Sequence, residues 1–580
     1  MPTIMQDLHL KSTTCPPRHF HSKILSAAKL LWTYSIYTLS ASFVIRPIFF
    51  DVITSESIDR RKYNGSLAVG EPSKLTSGLT MADTSASSMT AATAPEEVSD
   101  IEVRNSNDIE AEKHKQQPAT HWQLVFDQTH VTPEVLHHRY SGSGTHDDPY
   151  VVEYIPHDRR NPMLFPMWKK WAITVLVAFA TLAVAFVSAA YTGGVEQIIE
   201  QFAVSDEVVT LGVSLFVLGF AIGPLLWAPF SEMYGRQILF FGTYAMLTIF
   251  NAGAAGSQNI QTLLILRFFA GAFGSSPLTN AGGVIADIFP ASQRGIAMSV
   301  FAAAPFLGPT IGPIVGGFLS ETEGWRWVEG LMAIFTGVLW IMGALLIPET
   351  YTPVILRRRA KKLSQMTGKV YKSRMEVEKG EKSLGSELKT AVSRPWILLL
   401  REPIVLLLSI YMAIIYGTLY MMFAAFPIVY QKYRGWSEGI GGLAFIGVAV
   451  GMMFAIIYNI TDNNRYKRAA DMNGGNAPPE ARLPPSMVGS VCLPVGLFWF
   501  AWTNYPSIHW SVGIIGTAPF GFGMVLVFLS IMNYLIDAYT IYAASVLAAN
   551  SVLRSLFGAV FPLFTTCKPH HLHPILQGRN

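Results

Sequence analysis

The side chains best placed to do chemistry in this chain are a few charges inside otherwise apolar stretches. Arg267 lies in Leu264-Ile-Leu-Arg-Phe-Phe-Ala-Gly271, and Asp287 closes the same stretch, followed by Arg294 and Gly295. Asp537 ends another such stretch, in Asn533-Tyr-Leu-Ile-Asp-Ala-Tyr539, and Asn550 and Arg554 share a helical face at i, i+4 in a third. An ion inside a bilayer costs several kcal/mol unless it is paired or wetted. Arginine does not shed its proton, so Arg267 and Arg554 each require an anion, a cluster of carbonyls or a wet cavity. Asp287 and Asp537 read equally well as helix-end charges facing the headgroup region. Charges in such positions suit proton coupling and gating.

Three further patterns accompany them. Gly223-Pro-Leu-Leu-Trp-Ala-Pro-Phe-Ser-Glu-Met-Tyr-Gly-Arg236 holds Glu232 and Arg236 four residues apart, with Gly235 free to make a sharp turn. At the mouth of a pore such a pair could latch two helices in one conformation and release them in another; it also reads as a solvated turn. Gly308, Gly312 and Gly316 recur every fourth residue in Gly308-Pro-Thr-Ile-Gly-Pro-Ile-Val-Gly-Gly317. On a helix they form one groove for a close neighbour, and Pro309 and Pro313 bend that helix. Tyr416, Tyr420 and Phe423 fall at i, i+4, i+7, a face that could stack flat or cationic solutes or serve only for packing. With Asn550 they are the candidate lining of a substrate cavity.

The elements that position these residues follow from composition. Of 580 residues 51% are hydrophobic and 14% charged, and mean hydropathy is +0.33. A soluble domain carries about 25% charged residues, so this chain reads as an integral membrane protein. A net charge of +4 is too small for a grip on nucleic acid. Cys15, Cys492 and Cys567 are too few and scattered for a disulfide framework. Cys567, His570, His571 and His573 lack the second half of a zinc site, so no metal is expected. The sequence has no GxxxxGK[ST] loop, no HExxH helix and no evident carboxylate dyad. It therefore reads as neither a nucleotide-driven motor nor an enzyme. Uphill work would draw on an ion gradient, with no cofactor.

A span needs about 20 apolar residues. Eleven are expected, near 171–191, 207–228, 238–256, 262–286, 296–319, 329–348, 402–424, 440–459, 487–503, 511–535 and 542–565. Six precede a hydrophilic segment at 349–401 and five follow it, the layout of a two-half transporter. Arg357, Arg358, Arg359, Lys361 and Lys362 in that segment, Arg465, Lys467, Arg468 and Arg482 later, and Lys169 and Lys170 before the first span all fall on one side. By the positive-inside rule that side is cytoplasmic, as is the amino terminus. The organisation expected is therefore a hydrophilic region over 1–165, a first half over 166–348, a basic loop over 349–401, a second half over 402–566 and a polar tail over 567–580. Residues 81–165, rich in Ala, Ser and Thr and then acidic, read as largely disordered. Met81-Ala-Asp-Thr-Ser looks like an ordinary start, so 1–80 is expected to be an upstream extension. That extension holds the uncharged stretch between Lys29 and Arg46 and a glycosylation-like Asn64.

Together these residues resemble the major facilitator superfamily, most closely fungal drug:proton antiporters of the polyamine, fluconazole and cercosporin exporter branch. The likeness runs from Asp148-Pro-Tyr-Val-Val-Glu153 to Phe564 and includes Lys169-Lys-Trp171. Gly223…Gly235-Arg236 resembles the family's motif between spans two and three, with Glu232 where many relatives have aspartate. Arg267 with Gly271 is similar to the fourth-span motif linked to proton transfer. Gly308-Pro309…Gly312-Pro313…Gly316-Gly317 resembles the antiporter motif that marks exporters. Pro348-Glu-Thr-Tyr-Thr-Pro353, Arg357-Arg-Arg-Ala360 and Tyr534…Asp537…Asn550…Arg554 resemble signatures of the branch. The resemblance implies a twelve-span, monomeric, all-α plasma-membrane exporter that moves amphiphilic drugs, toxins or secondary metabolites outward against protons by alternating access. After Phe564 the twelfth span of the family is expected to be missing. The alternatives are a facilitator or importer of organic cations such as polyamines, or a non-transporting membrane protein.

Overall fold

A computed structural model describes residues 25–33 and 121–564, apart from 128, 130, 381–383, 474–476 and 540–541, and all of these lie in one compact unit. The expectations for 34–120, which include Asn64, and for the tail from 565 fall outside the described residues.

Eleven described helices are long and apolar enough to cross a membrane. The first half holds Met167–Phe202, Asp206–Tyr234, Arg236–Ala255, Ile260–Ile288, Gln293–Glu323 and Trp325–Leu346. The second holds Pro403–Lys432, Glu438–Met472, Pro484–Thr503, Trp510–Ala538 and Ser545–Phe564. They are called here the first to eleventh spans. Each matches an expected span, and the ends shift by several residues because helices continue past the hydrocarbon edge. One shift matters for the site: the sixth span begins at Trp325, so Glu329 sits a full turn inside it and is buried.

Span boundaries obey local chemistry. Gly235, at φ +106°, ends the second span and starts the third, a turn that a side chain would strain. Asn259 caps the fourth span by accepting from Thr262 N–H. In the fifth span Pro305, Pro309 and Pro313 leave the helix continuous over Ala291–Glu323. Its glycine groove is filled from within the same half. A Cβ on Gly308 would lie 2.6 Å from the Leu182 carbonyl oxygen, and one on Gly316 would lie 2.2 Å from that of Ala190, both in the first span. Gly317 instead faces the second half, where a Cβ would lie 2.5 Å from the Glu438 carbonyl oxygen. Pro313 also meets the second half, where a Cβ on Gly442 would lie 2.5 Å from its carbonyl oxygen, so the stretch from Pro313 to Gly317 lines the surface between the halves.

The expectation of disorder over 81–165 fails for its last part. Residues 121–165 fold onto the segment after the sixth span and form a small module on the basic face. Strand Tyr150–Val152 pairs in parallel with Tyr371–Ser373. Val135, Tyr140 and Val152 bury against Leu356, Ala360 and Leu363 of the helix Thr352–Thr367. Asp158 is buried and ion-paired with Arg359, and Arg160 donates to the Leu124 carbonyl at 2.6 Å. Burial pushes the Tyr140 and Tyr154 hydroxyls up to about 12, so both stay protonated. The expected basic loop over 349–401 is likewise mostly helical, in Thr352–Thr367, Arg374–Lys379 and Leu384–Arg401. The apolar residues of 121–165 complete a core only against one face of the helix Thr352–Thr367, some 200 residues away. Arg359→Ala strands the Asp158 carboxylate and weakens the module by about 3–5 kcal/mol. Limited proteolysis within 121–165 should then run about a hundredfold faster than in the parent protein, whereas equal rates would place the module's stability elsewhere.

Candidate functional site: two ion-paired clamps and a buried arginine

The basic-face site is built where the second span stops. Because Gly235 breaks the helix, Glu232 and Arg236 do not share one, and the expected i, i+4 latch gives way to a different partner. Arg236 opens the third span, and its Nε reaches Asp287 Oδ2 at 3.5 Å, with both side chains largely buried. Its Nη1 donates to Asn280 Oδ1 at 3.2 Å and to Ser231 Oγ, and its guanidinium lies 4.8 Å from the Tyr351 ring centre. Glu232 stands exposed on the last turn of the second span. Gly223 lies against the fourth span, where a Cβ would meet the Ala272 carbonyl at 2.5 Å.

Beneath Arg236 lies Glu349, fully buried, a residue the sequence reading quotes but gives no role. Its carboxylate accepts from four backbone N–H groups, those of Arg236 at 2.9 Å, Gln237 at 3.3 Å, Thr350 at 3.0 Å and Tyr351 at 3.0 Å. A carboxylate at the start of a helix meets unpaired donors and the positive end of the dipole. Glu349 therefore caps the third span from the far end of the same half. Thr350 closes the ring by donating to Asp287 at 3.4 Å. Arg357 and Arg358 donate to the carbonyls of Met233 and Tyr234, and Gln237 donates to that of Val125, which ties the module to this clamp.

Asp537 has the corresponding place in the second half. Arg482 Nε donates to its Oδ2 at 2.9 Å, Tyr466 donates to the same oxygen at 3.1 Å, and the Arg482 guanidinium lies 3.4 Å from the Tyr466 ring centre. Both helix-end aspartates are thus paired with arginine beside a tyrosine, one in each half, as an internal repeat requires.

Arg267 lies elsewhere. It is twenty residues from Asp287 on one helix, about 30 Å along its axis, near the opposite face of the membrane. Its side chain is fully buried. The guanidinium donates to the carbonyls of Val187 at 3.1 Å, Ser188 at 3.4 Å and Gly212 at 3.4 Å, and stacks between Tyr191 and Phe216 at 4.6 and 4.5 Å. Its anion is Glu329 of the sixth span, at 3.7 Å. Neither Glu329 oxygen accepts a hydrogen bond among the described residues. The arginine thus finds both an anion and a carbonyl cluster, and the acid is the residue that the sequence reading leaves at a span boundary.

From this pair a line of hydroxyls crosses between the halves. Ser188, whose carbonyl holds Arg267, hydrogen-bonds through its hydroxyl with Tyr420 at 2.9 Å. Tyr416 donates to Tyr420 at 3.3 Å, and the Arg554 guanidinium lies 4.8 Å from the Tyr416 ring centre. Phe423 packs edge-on against Tyr420 at 5.1 Å. Asn550, one turn from Arg554, is buried and donates to Ser409 at 3.3 Å and Met412 at 3.2 Å. The aromatic stripe of the seventh span therefore lies at the centre of the molecule, against the first half.

Two bundles of spans, repeated ion-paired clamps on one face and buried charges on their seam define a multi-pass membrane transporter. The general Major Facilitator Superfamily model matches residues 177–562. The chain belongs to that superfamily. It is 66% identical over 461 residues to an MFS-type efflux pump of Trichophyton rubrum, covering 80% of this chain and 78% of that one. It is 64% identical over 462 residues to the multidrug transporter mdrA of Aspergillus fumigatus, covering 79% and 76%. The fold is similar to that of the xylose transporter XylE from E. coli, whose structure was solved in a partially occluded inward-open conformation, with a TM-score of 0.51 at 16% identity over 68% of this chain and 92% of that one.

Proposed function

We propose that this chain is a proton-coupled exporter of amphiphilic small molecules, working as a monomer in the plasma membrane with its basic face in the cytoplasm. Lysines and arginines gathered on the face of the folded module support that orientation, and the names of the fungal relatives support export. The observation that carries proton coupling is the Arg267–Glu329 pair. Glu329 is an acid in the apolar interior whose oxygens have no other donor among the described residues. A proton arriving at it cancels the pair and leaves the Arg267 charge unbalanced in a dry site, a state relieved by admitting water. Such a group links proton occupancy to the choice between sealed and open conformations. The gradient supplies the energy without a bound cofactor. On the basic face, Arg236–Asp287 and Arg482–Asp537 hold each half rigid, so that the halves rock about the seam on which Gly317 and Glu438 meet.

The test is dye efflux from a pump-deficient fungal host expressing the full chain. The expected result is energy-dependent efflux that a protonophore abolishes. Equilibration of solute at the same rate with and without protonophore would establish a facilitator instead.

A further inference from the structure

One cation on the seam is left without a counter-charge. Arg554 is the tenth residue of the eleventh span Ser545–Phe564, near mid-membrane, and is partly accessible. Arg267, Arg236 and Arg482 each have a carboxylate. Arg554 has no ion pair and no hydrogen bond among the described residues, and its Nε is buried without an acceptor. What it has are two ring faces, Tyr416 at 4.8 Å and Phe528 at 5.6 Å. Phe528 in turn meets Phe306 of the first half edge-on at 5.3 Å. The guanidinium therefore sits beside the surface between the halves, walled by two rings of the second half, one of which touches the first.

We infer that Arg554 is the anchor for a carboxylate on the transported solute, whose flat conjugated body lies against Tyr416 and Phe528. The chemistry selects this class in three ways. A guanidinium fork matches a carboxylate in a two-bond geometry that can include the unpartnered Nε. A single unpaired positive charge balances a monoanion and repels an organic cation. Rings on two sides favour a planar apolar skeleton over a sugar or a peptide. Occupancy also does mechanical work. An unpaired guanidinium opposes closing a dry seam over itself, whereas the neutral pair formed with a carboxylate lowers that cost. A bound acid thus helps the loaded carrier to close, and the Ser188–Tyr420–Tyr416 hydroxyls connect that event to the Arg267 pair. The inference rests on the export reading only in taking the seam as the solute's route.

The test is equilibrium binding to the purified full chain in detergent at neutral pH, with no gradient, followed by quenching of tryptophan fluorescence. The probes share one ring system: 1-pyrenecarboxylate, 1-pyrenemethanol and 1-pyrenemethylammonium. The expected order is carboxylate tightest by at least about tenfold, then the alcohol, then the ammonium. Arg554→Gln should bring the carboxylate down to the alcohol's affinity and leave the alcohol unchanged. Arg554→Lys, which keeps the charge and loses the fork, should retain a reduced preference and covers the case in which the glutamine variant fails to fold. Equal or reversed ranking in the parent protein overturns the inference, as does a full carboxylate preference surviving in Arg554→Gln. A failure of proton coupling leaves this ranking intact. Conversely, protonophore-sensitive efflux of a neutral dye, with no carboxylate preference, would sink the anchor and leave the export reading standing.

Discussion

Glu329→Gln is expected to abolish protonophore-sensitive efflux and to destabilise the protein more than Arg267→Ala does. The asymmetry follows from which charge is left behind. Removing the acid leaves Arg267 ionised in a fully buried site, since a guanidinium does not deprotonate. Breaking a buried pair in this way costs about 3–5 kcal/mol. Removing the arginine leaves an acid that escapes the penalty by taking up a proton, so Arg267→Ala is expected to fold with a smaller loss while still failing to couple. The three carbonyls that receive the guanidinium, those of Val187, Ser188 and Gly212, lose their donors in the alanine variant, which keeps its cost above zero. Thermal unfolding in detergent ranks stability and dye efflux ranks function. Unchanged proton-dependent efflux in either variant would remove that residue from the mechanism, and equal unfolding temperatures would contradict the reading of the pair as dry.

Glu349→Ala is expected to cost about 2–4 kcal/mol of stability, with a matching loss of transport. Four backbone donors converge on this buried carboxylate. Helix caps contribute about 0.5–2 kcal/mol, and hydrogen bonds to a charged group about 1.5–3 kcal/mol. The variant frees the start of the third span and lets Arg236 drift from Asp287. Gly235→Val should produce the same defect by another route. It places a branched side chain at φ +106°, and its Cβ would lie 2.0 Å from Glu349 Oε2. Hydrogen exchange over 233–240 would rise in both variants. If protection there is unchanged in Glu349→Ala, the cap is not what orders this joint.

What could be read in advance follows from the range of each interaction. Span number and order were legible because a bilayer forces every segment to declare itself by local hydropathy. Arg267 and Arg554 stood out for the same reason, as charges where local composition forbids them. Their partners did not. Glu329 lies 62 positions from Arg267 and looks like an ordinary helix-end acid until the sixth span is seen to begin at Trp325. The signal available was the arginine's own demand for an anion on a neighbouring helix. Glu349 is similar: the Pro-Glu-Thr signature was visible, but its role depends on donors more than a hundred residues away. The pairing of Glu232 with Arg236 failed for a local reason, since Gly235 ends the helix that their spacing presumed. The folded module at 121–165 was hidden because its short elements bury their apolar side chains only against a helix some 200 residues away.

Distances between the halves, measured by paired spin labels in otherwise cysteine-free protein, test the central account most directly. One pair replaces the exposed residues Glu200 and Gly435 on the acidic face, and the other replaces Glu232 and Lys467 on the basic face. A carrier whose seam opens alternately, and whose choice is set by a proton on Glu329, must change the two distances in opposite senses on acidification and lose that response in Glu329→Gln. Distances that shift in the same sense, stay fixed, or respond unchanged in that variant would contradict it.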